Sequence, residues 1–120
     1  MSVLFDTCIL IDYLNAVAAA RDELALHREK YISVITWMEV LVGATPDTEV
    51  GTRDFLNRFR LIEIGATIRE EAVQLRRVHR IKLPDAIIWA SAKTHGLTLI
   101  TRNTKDFSED SSGIRIPYRF

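Results

Sequence analysis

Short apolar runs alternate with amphipathic stretches along the chain. Val3-Leu4-Phe5 stops abruptly at Asp6-Thr7, the pattern of a strand buried on both faces of a parallel sheet. From Cys8 to His27 the sequence suits helix, with Ile9, Leu10, Tyr13 and Leu14 at helical spacing and then an alanine-rich stretch carrying Leu24 and Leu26. This predicts two helices, or one broken near Asn15. Tyr31-Ile32-Ser33-Val34-Ile35 is β-branched and apolar and predicts a second strand, after which Thr36 begins a helix through Trp37, Glu39, Val40 and Leu41 toward Gly43. Pro46 and Asp47 are expected to open the next helix, through Phe55, Leu56 and Phe59, and Leu61-Ile62-Glu63-Ile64 a third strand. Ile68, Ala72, Leu75 and Val78 mark one face of a further helix, with Arg69, Arg76, Arg77 and Arg80 on its remaining surface. Pro84 suits the first turn of a helix that Gly96 ends, Leu97-Thr98-Leu99-Ile100 reads as strand four, and Ile114-Arg115-Ile116-Pro117 as a closing edge strand.

Strands alternating with helices predict an α/β fold: a doubly wound, mainly parallel sheet flanked by helices, as a single domain over residues 1–120. Composition agrees, since 120 residues with 48% hydrophobic and 27% charged positions exclude a disordered tail, a collagen-like repeat and a coiled-coil rod. Sixteen basic residues balance sixteen acidic ones, so any nucleic-acid surface has to arise locally. The single cysteine, Cys8, excludes an internal disulfide, and no Cys/His spacing marks structural zinc. With no basic leader and no apolar run near the roughly 20 residues of a membrane span, a soluble cytoplasmic protein is expected.

Ligands of open parallel sheets bind beyond the carboxyl ends of the strands. Asp6 follows strand one, Glu39 opens the helix after strand two, Asp85 lies in the first turn of a helix leading to strand four, and Asp106 follows strand four. If these carboxylates gathered within ~5 Å, each pair would repel by roughly 3 kcal/mol at an effective dielectric near 20. A cation would remove that cost, and an all-oxygen donor set suits Mg²⁺ or Mn²⁺ better than zinc. A metal so held lowers the pKa of a bound water and neutralises charge on a phosphate, which is nuclease chemistry. Arg102 and Lys105, with Arg80 and Lys82, are candidate phosphate contacts, and Thr7, Thr101 and Asn103 are candidates to orient ligands or metal-bound waters. Each acid also has a local alternative: Asp6 satisfying a turn, Glu39 closing a capping box with Thr36, Asp85 complementing a helix dipole, and Asp106 capping a turn.

Taken in order, Val3-Leu4-Phe5-Asp6-Thr7, Ser33-Val34-Ile35-Thr36-Trp37-Met38-Glu39, Leu83-Pro84-Asp85-Ala86 and Leu99-Ile100-Thr101-Arg102-Asn103-Thr104-Lys105-Asp106-Phe107 resemble the PIN-domain ribonucleases, specifically the VapC-type toxins of toxin–antitoxin pairs. The resemblance covers nearly the whole chain. It implies a Mg²⁺- or Mn²⁺-dependent endoribonuclease whose principal acids are Asp6, Glu39 and Asp85, with Asn103 or Asp106 completing the metal shell through water. It further implies a homodimer neutralised by a cognate VapB-type antitoxin whose C-terminal segment fills the active groove. Two other readings are a receiver-like phosphoacceptor domain and a catalytically silent binding module of the same fold.

Overall fold

The computed structural model describes residues 2–120. Its strands β1 (Val3–Phe5), β2 (Lys30–Ser33), β3 (Arg60–Ile62), β4 (Thr98–Ile100) and β5 (Ile114–Arg115) form one sheet in the order β3-β2-β1-β4-β5, every neighbouring pair parallel. The helices are α1 (Thr7–Leu14), α2 (Ala18–Ala25), α3 (Val34–Val42), α4 (Glu49–Leu56), α5 (Ala66–His79) and α6 (Leu83–Thr94). Alternation along the central strands divides the core. Val3 and Phe5 on β1 and Ile100 on β4 join Ile9, Leu10, Leu24 and Phe55 on one side of the sheet, while Leu4 and Leu99 join Ile68, Leu75, Ile88 and Trp89 on the other. Both faces of β1 are therefore covered, which is why its sequence is uniformly apolar.

The second strand is shorter than the β-branched run predicts. Ser33 stops β2, and its hydroxyl accepts a hydrogen bond from the Ile35 backbone N–H at 3.1 Å, so Val34 and Ile35 begin α3 instead of extending the strand. Glu39 thus lies one turn deeper in its helix than the capping-box alternative requires. Similarly, α4 starts at Glu49 behind a Thr45–Thr48 turn, so Pro46 and Asp47 precede it, and β3 ends at Ile62, leaving Glu63 and Ile64 outside the sheet. The break between α1 and α2 falls where expected, at Asn15 and Ala16, and Ala16 takes a positive φ of 64° there. Pro117 lies beyond β5.

Strand order excludes the receiver-like alternative. That fold arranges its strands 2-1-3-4-5, whereas here β1 lies between β2 and β4 and β3 is at an edge. Among the described residues, no helix is long and apolar enough to cross a membrane.

Candidate active site

The carboxyl ends of β1 and β4 lie side by side, with Phe5 in register with Ile100. Asp6 and Thr101 are the next residues on each strand, and the Thr101 hydroxyl donates to Asp6 Oδ2 at 2.7 Å. Asp6 also caps α1, accepting from the Thr7 backbone N–H at 2.8 Å, and it is only 4% exposed. The turn-satisfying reading of Asp6 is thus true of its Oδ1, while the side chain also lines a cleft of about 450 Å³ with Thr7, Glu39, Asp85, Asn103 and Lys105.

A relay of hydroxyls fixes Glu39. Thr7 Oγ1 donates to Glu39 Oε1 at 2.7 Å and lies 2.9 Å from Thr36 Oγ1, which ties the start of α1 to α3. Thr36 is fully buried in this relay rather than acting as a helix cap. On the cleft wall formed by the turn after β4, Asn103 Nδ2 donates to Asp106 Oδ2 at 2.9 Å, and the Asp106 backbone N–H donates back to Asn103 Oδ1. The Asn103 backbone N–H in turn donates to Thr101 Oγ1, which joins this wall to Asp6.

Electrostatics link all four acids. The Asp85 carboxyl is pushed up to about 6, first by burial, then by the charge of Asp6, a hydrogen bond with Asp106 and the charges of Asp106 and Glu39. Burial also raises Asp6, against the hydrogen bonds from Thr101 and Thr7 that favour its charged form. Neighbouring Cys8, whose Sγ lies 3.6 Å from Asp6 Oδ2, is pushed up to about 12 by burial and then by the Asp6 charge. Among the described residues, no three His, Cys, Asp or Glu side chains stand close enough together to form a ready metal cage. The carboxylates face one cleft without having closed on a common centre.

The basic candidates divide. Lys105 and Arg102 line the cleft. Arg80 instead lines a separate pocket with Val73, Arg76, Arg77 and Leu83, because it turns the chain at the end of α5 in a left-handed conformation with φ 56°. Lys82 stands just before α6, three positions ahead of Asp85, and is not among the residues of the cleft wall.

Arg102 is held by a residue that the sequence reading missed. Its Nε and Nη2 both donate to the Asp12 carboxylate, the second at 3.1 Å, and the Tyr118 hydroxyl donates to Asp12 Oδ2 at 2.7 Å. Burial works against the charged form of Asp12, but the hydrogen bonds of Arg102 and Tyr118 prevail and hold its carboxyl below the usual range. The available signal was a carboxylate at a core-facing position of α1, three residues beyond buried Ile9.

A PIN domain model matches residues 3–109. A chain of a toxin–antitoxin complex from Klebsiella pneumoniae superposes with a TM-score of 0.94 at 47% identity, covering 99% of this chain and 100% of that one. FitAcB from Neisseria gonorrhoeae shares the fold at a TM-score of 0.81 and 22% identity, covering 96% and 97% of the respective chains. DNA-bound VapBC from Salmonella typhimurium does so at 0.78 and 23%, covering 99% and 98%. No curated protein matches. With the family pattern running from β1 past the Asn103–Asp106 turn and a close relative aligned along its full length, the chain belongs to the PIN-domain family.

Proposed function

We propose that this chain is the toxin of a type II toxin–antitoxin pair, a VapC-type endoribonuclease that hydrolyses RNA phosphodiester bonds with Mg²⁺ or Mn²⁺. The observation that carries the reading is the single cleft faced by Asp6, Glu39 and Asp85, with Asp106 hydrogen-bonded to Asp85. Membership of a family whose members are generally nucleases supports the reaction class, and the 47% identical relative in a toxin–antitoxin complex supports the biological role.

The donor set fits a hard divalent ion. It is made of carboxylate oxygens that repel one another, as the raised Asp85 carboxyl registers, and it has no imidazole or available thiolate to favour zinc. Asp6, Glu39 and Asp85 would hold the ion, with Asn103 or Asp106 completing its surroundings through water. When bound, the ion supplies positive charge against the scissile phosphate and lowers the cost of ionising water. The chain itself supplies position. Thr101 and the Thr7 backbone hold Asp6, the Thr7 hydroxyl holds Glu39, and the Asn103 amide holds Asp106. Lys105 and Arg102 stand at the rim, where phosphate oxygens of a strand entering the cleft would pass.

A second groove, of about 300 Å³, runs from Ile11 and Glu39 over Leu14, Val40 and Thr52 and shares its first two residues with the acidic cleft. In this reading a VapB-type antitoxin segment lies along that groove and directs a basic side chain to the acids, while the toxin itself is a homodimer. RNA end-mapping after expression of wild-type and Asp85→Asn chains tests the activity. Discrete new ends with the wild type alone are expected, whereas divalent-ion binding with no new ends in any cellular RNA identifies the silent binding module.

A further inference from the structure

Asp12 lies on α1 six positions beyond Asp6, outside the acidic cleft, yet it is 4% exposed and carries three hydrogen bonds. A buried carboxylate is costly unless fully paired, so its partners define what it does. They come from the other end of the chain: Arg102, directly after the cleft residue Thr101, and Tyr118, in the C-terminal segment beyond β5. The same segment covers the guanidinium, since Phe120 stacks 4.5 Å from the Arg102 Cζ. Arginine offers five N–H donors in a planar fork. The Asp12 carboxylate takes Nε and one N–H of Nη2, which leaves Nη1 and the remaining Nη2 hydrogen. No protein acceptor takes Nη1 among the described residues, the side chain is 31% exposed, and Arg102 lines the acidic cleft.

We propose that Asp12 is a positioning residue which locks one edge of Arg102 so that the other edge is held at the rim of the acidic cleft as an anchor for a phosphate of the bound strand, with Tyr118 and Phe120 keeping the lock closed. This rests on the nucleic-acid reading of the cleft. A free arginine at a rim loses side-chain entropy on binding, whereas one already fixed by a two-bond carboxylate pair does not, so pre-organisation tightens binding without a new contact. Charge accounting favours the same arrangement. Asp12 is matched by Arg102 and buried away from solvent, so the pair adds no free negative charge to a rim that a polyanion approaches.

The test is anisotropy of a fluorescein-labelled single-stranded oligoribonucleotide of mixed sequence in chelator, where binding is read without cleavage, titrated over salt for wild-type, Asp12→Asn, Tyr118→Phe, Arg102→Gln and Asp12→Asn/Arg102→Gln proteins. Asp12→Asn is expected to weaken binding about 5- to 10-fold, and Arg102→Gln to weaken it at least as much and to shrink the log–log salt slope by about 0.7, one single-strand phosphate contact. Tyr118→Phe, which removes one hydroxyl, should weaken binding about twofold. Because Asp12 acts through Arg102, adding Asp12→Asn to Arg102→Gln should cause no further loss of binding. In cleavage of an RNA identified by end-mapping, Asp12→Asn should raise KM with kcat within about twofold. Additive losses, or an unchanged affinity in both Asp12→Asn and Tyr118→Phe, overturn the positioning role. Wild-type binding that depends on Arg102 but yields no cleavage with Mg²⁺ or Mn²⁺ overturns the nuclease reading and leaves the anchor standing.

Discussion

Asp85 shows at the scale of one residue what the cleft does without a cation. Its carboxyl is pushed up from 3.8 to about 6 by burial and then by Asp6, Asp106 and Glu39. The native state therefore holds the proton more tightly than the unfolded chain does, so stability falls as pH rises from about 4 to about 6 and stays reduced above that. A two-unit shift corresponds to at most about 3 kcal/mol, and solvent screening at this partly buried group reduces it to about 1 kcal/mol. Asp85→Asn is thus expected to melt about 4 °C higher than wild type in chelator at pH 7.5 and no higher at pH 4, while losing nearly all RNA cleavage. An equal melting difference at both pH values would show that the Asp85 carboxylate is not repelled. Cys8, beside Asp6, reads burial at the same place first and the Asp6 charge second. With its thiol pushed up to about 12, alkylation at pH 8 should run at least about 100-fold slower in the folded chain than in urea, as followed by mass spectrometry.

At the scale of elements, residue pattern located each strand and helix but misplaced boundaries where a single side chain decides them. Val34 and Ile35 have strand propensity, yet Ser33 satisfies the Ile35 N–H and starts α3 there. Propensity summed over five residues could not reveal a cap, and Thr36-x-x-Glu39 imitated one. That misreading concerned the site, because the true helix start puts Thr36 and Glu39 on the relay from Thr7. Ser33→Ala should cost about 1 kcal/mol in urea unfolding, whereas Thr36→Ser, which keeps the relay hydroxyl, should preserve activity. The edge strand β5 is fixed differently. Arg115 donates through Nε and Nη2 to buried Glu23 of α2, and His27 meets the same carboxylate at 2.9 Å. Arg115 first, against burial and together with His27, lowers the Glu23 carboxyl below its ordinary 4.5. A depressed carboxyl contributes stability above that ordinary value and loses it as pH falls through the folded one. Arg115→Gln should therefore cost about 2 kcal/mol at pH 7 in chemical denaturation, and progressively less as pH falls through the depressed Glu23 carboxyl. A cost that stays the same down to the acid limit of folding would assign Arg115 a packing role only.

The whole molecule turns spacing into convergence. Asp6 and Thr101 are 95 positions apart in sequence, yet parallel pairing of β1 with β4 makes them neighbours. The sheet rule made this junction legible in the sequence, because it requires only that apolar runs end in parallel at one edge. The Asp12–Arg102–Tyr118 lock was not legible, because its partners lie 90 and 106 positions away and no periodicity links a C-terminal tyrosine to the second turn of α1. The division of the basic residues was equally hidden, since it depends on Arg80 turning the chain at the end of α5. Convergence also sets how the molecule should respond to a divalent ion. The acids face one cleft without three of them forming a ready cage among the described residues, a spacing that suits an ion which keeps part of its water shell. An ion that binds only the folded arrangement stabilises it by about 2.7 kcal/mol at one hundred times its Kd, on the order of 10 °C for a chain of this size. Adding Mg²⁺ or Mn²⁺ should raise the melting temperature of the wild type by that order, with a midpoint that gives Kd. Asp85→Asn, which folds without the Asp85 share of the repulsion, should start from a higher baseline and rise little. A wild-type melting temperature indifferent to millimolar Mg²⁺ and Mn²⁺, with Asp85→Asn equally indifferent, would remove the divalent centre and with it the hydrolytic reading of the cleft.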